Sequence, residues 1–150
     1  MKFLKKYYPI ALILLVAGIF FYDYLFIQDF KNNYKKNGDY TVGKVKEVEP
    51  YGRGTGYNYI YRFKVNNKEY KGTCDAGNLS LSDAKKIINK DFLVIYLKNN
   101  IHNNKLYLLV PVNDSIQSNL QLKQWVDNSP EIKAELDSIP PSGFFLKNYF

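Results

Sequence analysis

The chain has very little of the two residues that most often build metal and nucleophilic sites. It contains one cysteine, Cys74, and one histidine, His102. A single cysteine cannot form an intrachain disulfide, and a structural zinc usually needs four cysteine or histidine ligands. A Ser-His-Asp triad would have to use His102 alone. We therefore expect no catalytic residue, no metal and no cofactor, and we predict that the protein is not an enzyme.

Acidic residues are outnumbered by basic ones, 14 to 21, which gives a formal net charge of +7. A basic excess can indicate nucleic-acid binding. Here, however, lysines and acids interleave, as in residues 44–49 (KVKEVE), and form no basic block. This pattern favours an ordinary solvated surface, and we expect no nucleic acid as a partner.

Charge is absent from residues 7–22, YYPIALILLVAGIFFY, and after Asp23 the apolar stretch continues to Ile27. A helix rises about 1.5 Å per residue, so residues 7–27 just cover a hydrocarbon core of roughly 30 Å. Tyrosines at both ends of the stretch are typical of residues at a membrane interface. We predict a signal anchor over residues 1–27, which contacts the lipid bilayer through residues 7–27.

A cleaved signal peptide is the alternative interpretation of this N-terminus. Cleavage requires small residues shortly after the apolar run. Ala17 and Gly18 lie inside the run, and bulky side chains follow them. An uncleaved anchor is therefore favoured. The basic residues of segment 1–6 favour an N-terminus inside the cell, so we expect the C-terminal domain outside the cytoplasm.

Strand patterns dominate the middle of the chain. Residues 28–38 are polar, end in glycine and indicate a juxtamembrane linker. The side chains of segment 57–65 alternate between two faces of a strand, and one face carries Tyr57, Tyr59, Tyr61, Phe63 and Val65. A two-residue turn, Asn66-Asn67, connects this strand to the next one and predicts a β-hairpin. Segment 91–98 is apolar on both faces, which predicts an internal strand. Five strands are predicted in all, over residues 39–50, 57–65, 68–75, 91–98 and 105–112.

One short helix is predicted between the third and fourth strands, because Ser80 and Asp83 resemble a capping box. The Asn-rich segment before the fifth strand, which includes His102, is predicted as a loop. The expected fold class is therefore mainly β (α+β). A transmembrane helix precedes a small five-stranded curled sheet, or an SH3-like or OB-like partly open barrel, over residues 39–112.

The C-terminal extension, residues 113–150, shows weaker patterns. Residues 114–126 are compatible with an amphipathic helix whose apolar face carries Ile116, Leu120 and Trp125. Ser129 followed by Pro130 is a typical helix start. The last segment, 139–150, is irregular and aromatic, which leaves packing on the sheet, contact with the bilayer and partner binding all open.

Three short motifs stand out within residues 41–98: G-x-V at residues 43–45, Y-x-F-x-V-N-x-K-x-Y at 61–70 and V-x-Y-L at 94–97. Together they resemble the motifs of short bacterial membrane-anchored proteins with a small β domain, a group of uncharacterised function. The resemblance implies a membrane anchor followed by a β domain, and it carries no known active site. The resemblance implies one or more membrane helices in a bacterial protein; with the one anchor predicted here, we expect a single-pass protein of the bacterial inner membrane.

The segment PYGRGTGYNYIYRF, residues 50–63, contains the most conspicuous motif of the chain. A phosphate-binding glycine loop follows a strand and opens a helix, whereas this loop joins two predicted strands. Nucleotide binding is therefore not expected. The glycines favour a mobile hairpin tip that holds Arg53 in solvent. A plain flexible loop is one interpretation; the other is a partner-contact loop with Tyr51, Arg53 and Tyr57 as binding residues.

Two functions remain open at this point. The first is a non-catalytic bacterial envelope protein whose β domain binds a protein partner, either as an accessory subunit or as a toxin-neutralising protein. The alternative is a membrane-anchored module that binds a small ligand or glycan on its tyrosine-rich sheet face. That face is also typical of a core built from tyrosine. Cys74 is predicted to be a buried, unreactive thiol, and Glu47 with Glu49 a solvated pair.

Overall fold

A computed structural model of the chain describes residues 2–51, 56–77, 79–116 and 118–141. A long apolar N-terminal helix precedes a five-stranded antiparallel sheet that curls into a half-barrel, and short helices follow it. This architecture confirms the predicted fold class. The elements are α1 (Lys2–Asn37), β1 (Gly38–Tyr51), β2 (Gly56–Val65), β3 (Lys68–Asp75), α2 (Leu81–Lys85), β4 (Asp91–Leu97), β5 (Asn100–Pro111), α3 (Asn119–Asn128) and α4 (Pro130–Asp137).

Helix α1 has two parts with different surroundings. Its apolar side chains from Tyr7 to Leu25 are mostly exposed, and the helix is long and apolar enough to cross a membrane by its length and composition. Phe26 and Phe30, in contrast, are buried against the β domain. Residues 28–37, predicted as part of a linker, continue the same helix. They stay helical because Phe30 and Tyr34 stack one turn apart, with ring centroids 5.7 Å apart, and pack on the sheet.

The strands follow the order β3-β2-β1-β4-β5, so β1 lies at the centre and β4 is internal, as predicted. Strands β3 and β5 lie at the two ends of this order, and the curl of the sheet brings them towards each other. Tyr61 on β2 reaches across the interior and donates its hydroxyl to Asn104 Oδ1 on β5 at 2.5 Å. The sheet therefore wraps around one of its own faces.

The predicted hairpin is confirmed. Strands β2 and β3 pair in antiparallel register, with Phe63 opposite Tyr70 and Val65 opposite Lys68. Asn66 and Asn67 have φ angles of 49° and 63°, which is the left-handed region that a tight two-residue hairpin turn requires. Asparagine tolerates this backbone conformation better than most residues do.

Strand β1 contains a bulge that the sequence pattern did not reveal. The pairing with β2 shifts between Val45, opposite Tyr61, and Glu47, opposite Ile60. One extra residue reverses the alternation of side chains. Val45 and Val48 therefore both pack in the inner core although they are three positions apart.

Two apolar clusters lie on the two faces of the curled sheet. The inner cluster includes Val45, Tyr59, Tyr61 and Phe63, and the outer cluster is covered by α1, α3 and α4. Strand β4 contributes to both. Phe92, Val94 and Tyr96 point inward, and Leu93, Ile95 and Leu97 point outward. This division explains why β4 is apolar on both faces.

The predicted loop before the fifth strand is wrong. Strand β5 begins at Asn100, so His102 lies in a strand and not in a loop. The turn between β4 and β5 consists of Lys98 and Asn99. The β4–β5 pairing is irregular just after this turn, where Asn104 Nδ2 donates hydrogen bonds to the carbonyl oxygens of Ile101 and His102.

Helix α3 begins later than predicted, because Ser118 caps it by accepting a hydrogen bond from the Gln121 amide at 3.2 Å. The capped register turns Leu122 and Val126 towards the sheet and leaves Leu120 exposed. The predicted helix starts at Ser80 and at Ser129-Pro130 are confirmed.

Candidate binding surface

The predicted partner-contact loop is only partly described. Arg53 belongs to residues 52–55, which lie outside the described part of the chain, as does the aromatic segment 142–150. The backbone of Tyr51 ends β1 opposite Gly56, and Tyr57 lies opposite Pro50. The Tyr57 side chain is half-buried and packs against the inner core. Binding by Tyr51, Arg53 and Tyr57 therefore stays a prediction.

The tyrosine-rich face of β2 forms part of the inner core. Tyr59 is 1% exposed and Tyr61 is fully buried. Burial raises the pKa of the Tyr61 hydroxyl well above its ordinary value, so the group stays neutral. The neutral hydroxyl donates a hydrogen bond to Asn104 Oδ1. Tyr59 and Tyr61 therefore offer no open ring face on which a base or sugar could stack.

The other residues singled out in the sequence lie apart from one another. Cys74 is buried, as predicted, and burial raises the pKa of its thiol to about 12, which disfavours the reactive thiolate. His102 is exposed on β5, with its ring edge-on to Tyr70 at 6.0 Å. Glu47 is exposed and Glu49 half-buried on β1. The structure does not gather these groups into one site.

A row of cations crosses the outer face of the sheet near the β2–β3 turn, and sequence reasoning missed it. Lys44 on β1 lies directly opposite Arg62 on β2, and Arg62 lies directly opposite Lys71 on β3. Directly opposite residues point to the same face and lie about 5 Å apart at their Cβ atoms. Antiparallel pairing thus brings together three positive charges that are far apart along the chain.

This row borders an open groove with a volume of about 810 Å³ between the outer face of the sheet and the start of α3. Its size falls within the roughly 300–1,000 Å³ typical of binding sites. Four cationic side chains, two carboxylates and two half-buried aliphatic side chains line it. They are Lys44, Lys46, Arg62, Lys64, Glu69, Asp91, Val42 and Ile116. We call this surface the basic groove.

The charges of the basic groove divide into two groups. Arg62 donates to Glu69 Oε2 at 2.7 Å, and Lys44 Nζ lies 3.4 Å from Asp91 Oδ2. The hydrogen bond from Arg62 lowers the pKa of Glu69, so this carboxylate is ionised at neutral pH. Lys46 and Lys64 are exposed, and neither forms an ion pair with a carboxylate in the described ranges.

A second polar cluster fixes α1 on the sheet. The buried Asn103 on β5 donates through Nδ2 to the Phe26 carbonyl oxygen and to Asp29 Oδ2, each at 3.0 Å. Next to it on the same face, Lys105 is 3% exposed and places its ammonium 5.8 Å from the centre of the Phe30 ring. Burial lowers the pKa of Lys105 to about 8. These contacts make the second part of α1 a component of the β domain.

No family model, no curated protein and no solved structure matches this chain. The function therefore has to be inferred from the geometry of the chain itself. That geometry consists of a helix able to cross a membrane, a half-barrel fixed to its end, and the basic groove.

Proposed function

We propose that the protein is a non-catalytic, single-pass protein of the bacterial envelope whose β domain binds a protein partner, as an accessory subunit or a toxin-neutralising protein. One observation carries the proposal. Helices α1, α3 and α4 cover the outer face of β4 and β5, whereas near the β2–β3 turn the outer face forms an open, charged groove. Such an opening on a small packed domain is suited to a partner.

The structure of α1 supports an anchor that is retained in the mature protein. The helix runs without interruption from its apolar, exposed part into the part that packs on the sheet. Because Phe26 and Phe30 belong to the core of the domain, the domain is held directly at the end of the apolar stretch. We further propose that this stretch spans the bacterial inner membrane, with the β domain outside the cytoplasm, since segment 1–6 is basic.

Burial of the tyrosines favours a protein partner over the alternative of a small ligand or glycan. That alternative needs Tyr59 and Tyr61 accessible, and both are covered. The basic groove offers charged and aliphatic side chains on a broad, open surface, which is typical of contacts between proteins.

In-cell crosslinking tests the proposal. Tagged full-length protein is crosslinked in living cells, extracted from the membrane and analysed by mass spectrometry, beside Arg53→Ala. A specific partner in the wild-type sample is expected, and its loss in Arg53→Ala would place the glycine loop at the contact. Retention of the partner would remove Arg53 from the binding residues. A wild-type sample that crosslinks to nothing would contradict the proposed function.

A further inference from the structure

We propose that the basic groove binds an acidic segment of the protein partner, in an extended conformation. This inference deepens the proposed function and rests on it. The segment would carry carboxylates that pair with Lys46 and Lys64, together with aliphatic side chains that contact the groove wall.

The first argument is the distribution of charge within the groove. Lys44 and Arg62 already have carboxylate partners on the same surface. The exposed Lys46 and Lys64 form no ion pair within the described residues, although Lys64 lies directly opposite Glu69 and both lysines help to lower the pKa of Glu69. Glu69 is itself paired with Arg62. Two cations in one groove are therefore available to carboxylates from another molecule.

The second argument is the energetic cost of the arrangement. Like charges directly opposite each other on neighbouring strands destabilise a sheet. Lys44, Arg62 and Lys71 form such a row, which ends at Asp91, directly opposite Lys44 on β4. Within the described residues Lys44 and Arg62 each have an ion pair, and Lys71 has none. The three neighbouring cations still repel one another. An acidic partner segment would offset the repulsion when it binds.

The third argument decides between a peptide and a polyphosphate or lipid headgroup. Glu69 and Asp91 lie in the groove and would repel a multiply charged phosphate. Val42 and Ile116 add aliphatic surface that a headgroup cannot use. A peptide can place single carboxylates at Lys46 and Lys64 and apolar side chains on this aliphatic surface, without a concentrated negative charge beside either carboxylate of the groove. The observations therefore favour a protein segment.

A direct binding experiment uses a short fluorescent peptide of alternating glutamate and valine and the full-length protein in detergent. Fluorescence anisotropy is expected to show saturable binding that weakens with salt. The double variant Lys46→Glu/Lys64→Glu is expected to weaken binding by at least about tenfold. The neutral pair Lys46→Gln/Lys64→Gln should show an intermediate loss, and circular dichroism verifies that both variants fold.

The matched control is Lys85→Glu/Lys123→Glu, which reverses two exposed charges outside the groove lining. Binding equal to wild type is expected. A loss equal to that of the groove variant would overturn the proposal, because the attraction would then be non-specific. Binding to vesicles of anionic lipid, with no binding to the peptide, would overturn it in favour of a headgroup site.

Crosslinking in native membranes separates this inference from the proposed function. If the wild type captures a partner and Lys46→Glu/Lys64→Glu does not, the inference is supported. If the charge-reversed variant still captures that partner, the partner binds elsewhere and only the inference fails. If the wild type captures no partner, the proposed function fails with it.

Discussion

Lys44 on β1 and Arg62 on β2 lie directly opposite each other on the outer face of the sheet. Lys44 also pairs with Asp91, directly opposite it on β4, and Arg62 pairs with Glu69 on β3. A like-charged pair in register is an unfavourable choice for the fold alone. Its ion pairs are partly exposed to solvent, so they contribute little to stability. An acidic segment in the basic groove, as proposed above, would offset the repulsion.

Arg62→Gln tests whether the row of cations contributes to the stability of the fold. The variant loses the exposed ion pair with Glu69 and also the repulsion from Lys44 and Lys71, so the two effects oppose each other. We expect the midpoint of thermal unfolding to shift by less than about 2 °C. Leu93→Ala, in the outer core, serves as a reference and should cost about 2–5 kcal/mol. A large shift for Arg62→Gln would show that the row has a structural role.

Two phenylalanines of α1 test the two-part description of this helix. Phe30 is 0% exposed in the domain core, and Phe20 is 71% exposed on the apolar stretch. Phe30→Ala should therefore destabilise the β domain by about 3–5 kcal/mol. Phe20→Ala should leave its stability in detergent unchanged. Chemical denaturation followed by Trp125 fluorescence measures both, and equal effects of the two substitutions would contradict the description.

Lys105 predicts a pH dependence of stability. Its folded-state pKa of about 8 lies below the ordinary value of 10.5, so the folded protein releases this proton before the unfolded chain does. Stability should then rise with pH from about 8 towards 10.5, by at most about 1.4 kcal/mol per pH unit. The pKa of Cys74, raised from 9.0 to about 12, acts in the opposite direction above about pH 9. The rise should therefore be visible mainly between about pH 8 and 9.

Lys105→Met isolates this contribution. Asp23, Lys31 and Cys74 also influence the charge of Lys105, and all three remain in the variant. We expect the rise in stability above about pH 8 to disappear. Below that pH we expect the variant to be at least as stable as wild type, because a buried ammonium is replaced by an apolar side chain. Parallel pH profiles for the two proteins would show that Lys105 has an ordinary pKa.

Gly72 faces the ring of Tyr61 so closely that no side chain fits between them. A Cβ atom at position 72 would lie 2.2 Å from Tyr61 Cζ and 2.5 Å from Asn104 Oδ1. Gly72→Ala should therefore destabilise the domain by about 1–3 kcal/mol or more, through displacement of the tyrosine. Lys71→Ala, the neighbouring residue on the opposite face of β3, is the matched control. Similar stability of the two variants would contradict the close contact.

Local patterns were sufficient to predict much of the fold. The alternation of 57–65 and the Asn66-Asn67 turn predicted the hairpin, and the apolar run of 91–98 predicted an internal strand. Ser80 and Ser129 predicted two helix starts. Each of these features depends on neighbours in the chain, and so the sequence contains its signal.

Features that depend on contacts between distant parts of the chain could not be predicted from local sequence patterns. Next to the bulge, the Val45 amide donates to the Lys90 carbonyl oxygen and the Val45 carbonyl oxygen accepts from the Asn89 amide, and both partners lie far along the chain. The continuation of α1 through residues 28–37 depends on the packing of Phe30 on the sheet. The basic groove appears only when Lys44 and Arg62 are placed opposite each other, because along the chain both are interspersed with acidic or apolar residues. Only the register of the β1–β2 pair would have revealed the basic groove in advance.

The most direct test of the central claim is site-specific photo-crosslinking in native membranes. A photoreactive amino acid replaces Asn119, an uncharged, exposed residue of the groove lining, or Lys85 outside the groove, in the full-length protein. One discrete crosslinked partner is expected from position 119 and none from position 85. Capture from position 85 alone, or from neither position, would contradict a partner-binding role of the basic groove.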